Sequence, residues 1–110
     1  MAKFLTIGYG DQAGYDSTAA ELRDRAHAHD ARLRQAGAET GIAGSPVQVR
    51  NHDATGTVVE KGPFMSAALP VAGFALIEAD SLDEAIAAVS GTPCAIAHGV
   101  VEVWPLDEPA

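Results

Sequence analysis

Residues 71–79 read VAGFALIEA, a run that is almost continuously apolar. Such a run is expected for a central β-strand that is covered on both faces. The next residues, SLDE at 81–84, have the pattern of a capping box, and their carboxylates stand in the first helical turn, where the helix dipole favours them. Ala85 and Val89 continue a short helix that ends at Gly91. This stretch therefore predicts a buried strand followed by a helix.

A strand and a longer helix are predicted near the N-terminus. Residues 3–9 (KFLTIGY) are short and rich in β-forming side chains, which indicates a first strand. Thr18 and Glu21 have the spacing of a capping box, so the first helix is expected to begin there, and Gly37 is a natural C-terminal cap. The apolar side of this helix recurs at four- and three-residue steps and should face the sheet. It consists of Leu22, Ala26, His29, Leu33 and Ala36.

A hairpin and a closing strand complete the chain. Residues 47–50 lead into a turn and emerge at 56–60, which predicts an antiparallel hairpin, and residues 100–104 form a last strand that Pro105 stops. The order β-α-β-β-β-α-β predicts one α+β domain over residues 1–110. Its ferredoxin-like split βαβ arrangement has an antiparallel sheet with two helices on one face. Because the other face then needs cover, we expect a homodimer formed through the sheet.

The composition excludes several classes of function. A formal charge of −8, from 15 acidic and 7 basic side chains, argues against binding to nucleic acid, because that affinity comes mainly from Lys and Arg. No apolar run approaches the roughly 20 residues that cross a bilayer, so we expect a soluble, cytoplasmic protein. Cys94 is the single cysteine and cannot form an internal disulfide or a structural zinc site. We expect no metal and no cofactor.

Five short motifs occur in an order that resembles one known family. They are YGD at 9–11, VEKGPF at 59–64, AGFALIEA at 72–79, SLDEA at 81–85 and VEVWPL at 101–106. Together they resemble the YCII-related family, which carries a DGPF loop, and the resemblance covers nearly the whole chain. It implies a dimeric α+β barrel of ferredoxin-like type, and it leaves the specific function open.

The chain departs from the family pattern at polar positions. Lys61 stands where the DGPF loop has its aspartate, and residues 65–69 (MSAAL) lack the acidic residues and the lysine that usually follow. Trp104 replaces the arginine of the family's closing motif. In some members a histidine and an aspartate of the first helix are proposed to act as a dyad. Those positions fall near Ala26 and Gln35 in this chain.

The first helix nevertheless supplies a candidate catalytic residue. His29 interrupts the apolar stripe, and a half-buried imidazole can titrate near neutral pH, so His29 with Asp30 is our candidate acid–base pair. Asp30 points about 100° away around the helix and would need another element to meet His29. The alternative is a histidine at the edge of the core that bonds a backbone carbonyl. His27 lies on the polar side of the helix, which is most simply a solvated surface.

Aromatic residues and one further histidine suggest a ligand pocket. Tyr9, Phe64, His98 and Trp104 could border a small apolar cavity, and their alternative role is ordinary core or dimer contact. Three functions therefore remain open. The favoured one is a small-ligand-binding or accessory homodimer. The second is a small enzyme whose first-helix histidine acts as general acid or base on an aromatic or lactone-type substrate, and the third is an interaction module.

Overall fold

The structure is a computed structural model that describes residues 1–107. No helix in this range is both long and apolar enough to cross a membrane. A short 3-10 turn at His52–Ala54 lies between two of the strands. The elements in chain order are β1 (Ala2–Tyr9), α1 (Gln12–Asp16), α2 (Ala20–Gln35), β2 (Glu39–Ile42), β3 (Val47–Arg50), β4 (Val58–Lys61), β5 (Val71–Ala79), α3 (Leu82–Val89), α4 (Pro93–Ile96) and β6 (Val100–Leu106).

The main sheet has the strand order of a ferredoxin-like fold. Its four strands lie in the order β2-β5-β1-β6, and every neighbouring pair is antiparallel. β3 and β4 pair with each other as a separate two-stranded hairpin, inserted between β2 and β5. The predicted α+β fold class is therefore confirmed. The predicted order β-α-β-β-β-α-β is incomplete, because it lacks β2 of the main sheet and the short helices α1 and α4. The central place of residues 71–79 in the sheet is confirmed as well.

The core lies between one face of this sheet and the helices. Phe4 of β1 stands opposite Ile77 of β5, and both side chains are buried. α3 packs on β5 and β6 and places Ala85 and Val89 against these strands. Because side chains alternate along a strand, Phe4 and Ile77 share the face that the helices cover.

The two long helices begin differently. Ser81 caps α3 as predicted, because its hydroxyl accepts a hydrogen bond from the Glu84 amide at 3.2 Å. The Glu84 carboxylate in turn accepts one from the Asp80 amide at 2.9 Å. The predicted cap at Thr18 is wrong. The Thr18 hydroxyl instead donates to the carbonyl oxygen of Gly14 at 2.8 Å, and α2 begins two residues later without a side-chain cap.

α2 ends at a glycine, as predicted. Gly37 has a φ of 108°, in the left-handed region that favours glycine. Its amide donates to the carbonyl oxygen of Arg34, and the Ala38 amide donates to that of Leu33, each at 3.0 Å. These two bonds form a Schellman motif, which satisfies carbonyl groups at the end of the helix.

β6 continues further than expected. The prediction that Pro105 stops the strand is wrong, because β6 runs to Leu106 and Pro105 pairs with Phe4 of β1. β6 is an edge strand of the sheet. A proline is tolerated there, because an edge strand has a neighbouring strand on one side only. The missing amide hydrogen of proline therefore costs no hydrogen bond on the open side.

α2 covers less of the sheet than its apolar stripe predicts. Ala26 is buried, but Leu22 keeps 42% of its surface exposed. α2 packs mainly against α4 rather than directly on the strands. The expectation that the whole stripe faces the sheet is therefore wrong, and a cleft separates part of α2 from the strands.

The outer face of the sheet carries apolar side chains that no helix of residues 1–107 covers. Leu5 stands opposite Leu76 on one side and Trp104 on the other, and Ile7 stands opposite Phe74. Phe74 and Trp104 expose 48% and 54% of their surfaces. We call Leu5, Ile7, Phe74, Leu76 and Trp104 the outer face.

Candidate functional site

A cleft of about 830 Å³ lies between α2 and the inner face of the main sheet. Its floor is formed by small residues of β1 and β5, among them Thr6, Gly8, Gly73 and Ala75. α1 and α2 supply one wall, and α4 with the residues before it supplies another.

The cleft exists because the facing side chains of β1 and β5 become smaller along the sheet. Phe4 pairs with Ile77, then Thr6 with Ala75, and then Gly8 with Gly73. The large pair is buried in the core that α3 covers, whereas the small pairs line the cleft beneath α2. The register of two central strands therefore determines where the cleft lies.

Three side chains of α2 give the cleft a polar wall. His27, Asp30 and Arg34 are three and four residues apart, so they lie along one side of the helix, and all three line the cleft. The Arg34 Nη1 donates to the Asp30 Oδ2 at 2.8 Å. This wall thus presents an imidazole beside a paired carboxylate and guanidinium.

Tyr15 of α1 completes the wall. Its hydroxyl lies 2.9 Å from the Nε2 of His27, so the two side chains share a hydrogen bond between two helices. The guanidinium of Arg23 lies over the Tyr15 ring, 4.8 Å from its centroid, in a cation–π contact. α1 is fixed by Asp11, whose carboxylate accepts from the Gly14 amide at 2.8 Å. The phenol and the imidazole are therefore held together at the cleft.

The thiol of Cys94 lies against the glycine end of the cleft floor. A Cβ on Gly8 would stand only 2.7 Å from the Cys94 Sγ, so the thiol occupies the space that a side chain at position 8 would need. Burial raises the pKa of Cys94, and the negative charge of Asp30 raises it further. This thiol therefore stays protonated at neutral pH, as expected for an inert cysteine.

His29 lies outside this cleft. Its Nε2 donates to the carbonyl oxygen of Ala88 at 2.6 Å, which ties α2 to α3, and its ring packs beside Gly91. This is the alternative interpretation of His29, a histidine at the edge of the core that bonds a backbone carbonyl. Asp30 does line the cleft, so the structure does not bring the proposed pair together. A catalytic role for His29 stays a prediction.

The four residues of the predicted pocket do not share one cavity. The Tyr9 hydroxyl donates to the Glu102 Oε1 at 2.6 Å, on the side of the sheet that carries Trp104. Phe64 is 81% exposed beside Arg50, and His98 lies in the connection between α4 and β6 with a φ of 63°. None of Tyr9, Phe64, His98 and Trp104 lines the cleft.

His27, Tyr15 and Arg34 were not predicted from the sequence as residues of a site. The signal was present as the spacing of His27, Asp30 and Arg34, which form a polar stripe on α2. A polar stripe usually faces solvent, so the pattern alone gave no reason to place it over a cleft. Within residues 1–107, no group of three or more His, Cys, Asp or Glu side chains is arranged to hold a metal ion.

Fold and site together define a ferredoxin-like α+β protein with a cleft between its sheet and its longest helix. The YCII-related domain matches residues 2–108, which is nearly the whole chain, so the chain belongs to the YCII-related family. This confirms the resemblance that the five motifs indicate. A comparison with functionally curated proteins finds no match.

Replacing Asp30 with Asn should lower the pKa of Cys94, because it removes a negative charge that disfavours the thiolate. The pKa should stay above its ordinary value, since burial is the larger cause of the shift. The rate of alkylation by iodoacetamide, followed from pH 7 to 11, measures this pKa. Asp24→Asn is the matched control on an exposed part of α2. An Asp30→Asn profile that coincides with the wild-type profile would contradict the coupling.

Proposed function

We propose that this YCII-related protein is a homodimer that binds a small molecule in the cleft of each copy. The observation that carries the proposal is the cleft itself, with its small-residue floor and its polar wall. Its volume of about 830 Å³ lies in the range of roughly 300 to 1,000 Å³ that is common for small-molecule sites. Such sites are mostly apolar and contain a few polar groups that orient the ligand.

The lining favours a ring-sized ligand with one polar edge. Gly10 has open space above it, and Thr6 and Ala75 add small side chains to the floor, so a flat apolar face can lie there closely. The polar groups lie on one wall, where Tyr15 and His27 can exchange hydrogen bonds with a hydroxyl or carbonyl group. These features support a small aromatic or lactone-type molecule, with its oxygen atoms toward α2.

The homodimer is supported by the uncovered outer face. A chain of this size has a modest core, and within residues 1–107 no large side chain is completely buried. Burying Phe74 and Trp104 between two copies would add apolar contact that one copy lacks.

Tyr9 lies on the same side of the sheet. Its hydrogen bond to Glu102 raises its pKa, and burial and the carboxylate charge add to this, so the hydroxyl stays neutral and keeps donating.

A second candidate function is acid–base catalysis in the same cleft. The hydrogen bond between Tyr15 and His27 favours it, because it orients an imidazole toward space that a substrate could occupy. In this proposal His27 has the acid–base role that the sequence predicts for His29. In this step the Tyr15 oxygen takes a proton from an aromatic or lactone-type substrate while the Tyr15 proton passes to the Nε2 of His27.

Filling the cleft at Gly10 should abolish ligand binding. A side chain at Gly10 has open space, with the Cys94 Sγ 3.8 Å from its Cβ, so Gly10→Leu would occupy the cleft without backbone strain. Gly44→Leu is the matched control, because position 44 is equally open and lies outside the cleft. Ligand-detected NMR with small aromatic acids and lactones should find compounds that bind the wild type and Gly44→Leu. Equal binding of these compounds to Gly10→Leu would refute the proposal.

Truncating Trp104 should weaken the dimer. A buried interfacial tryptophan typically contributes about 2 kcal/mol, so Trp104→Ala should raise the dimer Kd by roughly thirtyfold. Sedimentation equilibrium measures this constant. Leu22→Ala serves as the control, because Leu22 is a partly exposed apolar residue on α2. An unchanged Kd in Trp104→Ala would exclude this tryptophan from the interface.

Substituting the two histidines separates the catalytic candidates. If His27 is the acid or base, His27→Gln should lower turnover of small lactone substrates by about 10²- to 10⁴-fold. His29→Gln should keep its activity, because a glutamine amide can still donate to the Ala88 carbonyl oxygen. Initial rates over a pH series provide the comparison. The reverse result, loss of turnover only in His29→Gln, would favour His29 instead.

A further inference from the structure

The hairpin of β3 and β4 has two chemically different faces. Val49 stands opposite Val59, and Val47 stands opposite Lys61. On the other side, Gln48 stands opposite Glu60 and Arg50 opposite Val58. Because side chains alternate along each strand, Val47, Val49 and Val59 lie together on one face, which we call the valine face.

The opposite face satisfies its own polar groups. The Arg50 guanidinium donates to the Glu60 carboxylate at 3.1 Å and to the Gln48 side-chain oxygen at 2.7 Å. The Gln48 side-chain nitrogen donates to the carbonyl oxygen of Gly62 at 3.2 Å. This face therefore resembles an ordinary solvated surface.

Within residues 1–107, no partner accounts for the apolar side chains of the valine face. Val47, Val49 and Val59 expose 58%, 64% and 59% of their surfaces. A two-stranded hairpin is at best marginally stable in water unless another element covers its apolar face. The hairpin does not pair with the main sheet, and nothing else in residues 1–107 covers its valines.

We propose that the valine face packs against a second copy of this chain. The charge distribution supports this occupant. Two copies of a chain with a formal charge of −8 repel each other, so they can approach best where no carboxylates meet. The valine face contains no carboxylate and includes Lys61 at its edge, whereas a basic partner would be attracted to the acidic surface elsewhere.

This contact goes beyond the proposed contact of the outer faces. The valine face belongs to a different sheet from Phe74 and Trp104, and the chain reaches the hairpin after Ile42, which is 95% exposed. A contact between identical surfaces closes around a twofold axis. If the two surfaces use two perpendicular, intersecting axes, the assembly is a tetramer, and if they share one axis, it is a dimer with an extended interface.

The experiment places a negative charge on each face of the hairpin. Val49→Glu puts a carboxylate into the proposed contact of two acidic chains, and Val58→Glu makes the same change on the polar face. Val58 is the matched control, because it is 60% exposed in the same hairpin. Val59→Ser is a milder second variant, and far-UV circular dichroism checks that each variant is folded.

Sedimentation equilibrium should show self-association weakened at least tenfold in Val49→Glu and measurably in Val59→Ser. Val58→Glu should stay within about twofold of the wild type. The proposal is overturned if the folded Val49→Glu and Val59→Ser associate like the wild type, or if the wild type is monomeric throughout. Trp104→Ala tests the outer face separately, so a wild-type Kd in that variant alone would remove the outer-face contact and leave this one standing.

Discussion

The decreasing size of the residue pairs along β1 and β5 is the constraint on which the other features depend. Phe4 with Ile77 fills the layer between the sheet and α3, whereas the smaller pairs Thr6–Ala75 and Gly8–Gly73 line the cleft beneath α2. A void of this size lined by large apolar groups would forfeit many contacts. Glycine and alanine have few such contacts to lose, so the cleft can persist without a large loss of packing.

The open layer explains how α2 can place charged groups above the sheet. Burying a charge in a packed core is costly, but the side chains of Asp30 and Arg34 remain 27% and 50% exposed and pair with each other. α2 is held instead at its sides and its end, by α4, by the bond from His29 to Ala88 and by the turn at Gly37. His29 thus joins α2 to α3 through the Ala88 carbonyl, whereas His27 lines the cleft.

Two apolar surfaces, the outer face and the valine face, are not covered by any other element of residues 1–107. The outer face and the valine face each carry side chains that would be expected inside a larger core. The structure places them on two separate sheets, and among their residues only Phe74 also lines the cleft. Trp104 and the three valines do not line the cleft, so substitutions there test the proposed association without changing the lining of the proposed ligand site.

The sequence by itself determined five of the strands, the two longer helices, the cap at Ser81, the turn at Gly37 and the hairpin, because these depend on local periodicity and on backbone groups a few residues apart. It did not predict β2 or the short helices α1 and α4. The five motifs also identified the family. The cap at Thr18 and the position of the cleft were settled only in three dimensions. Thr18 meets the carbonyl of Gly14 in the preceding helix, and the cleft requires Gly8 to lie opposite Gly73, far along the chain. The polar stripe of α2 faces the cleft because of how α2 packs on the rest of the protein. The sequence pattern of the stripe is equally compatible with a face exposed to solvent.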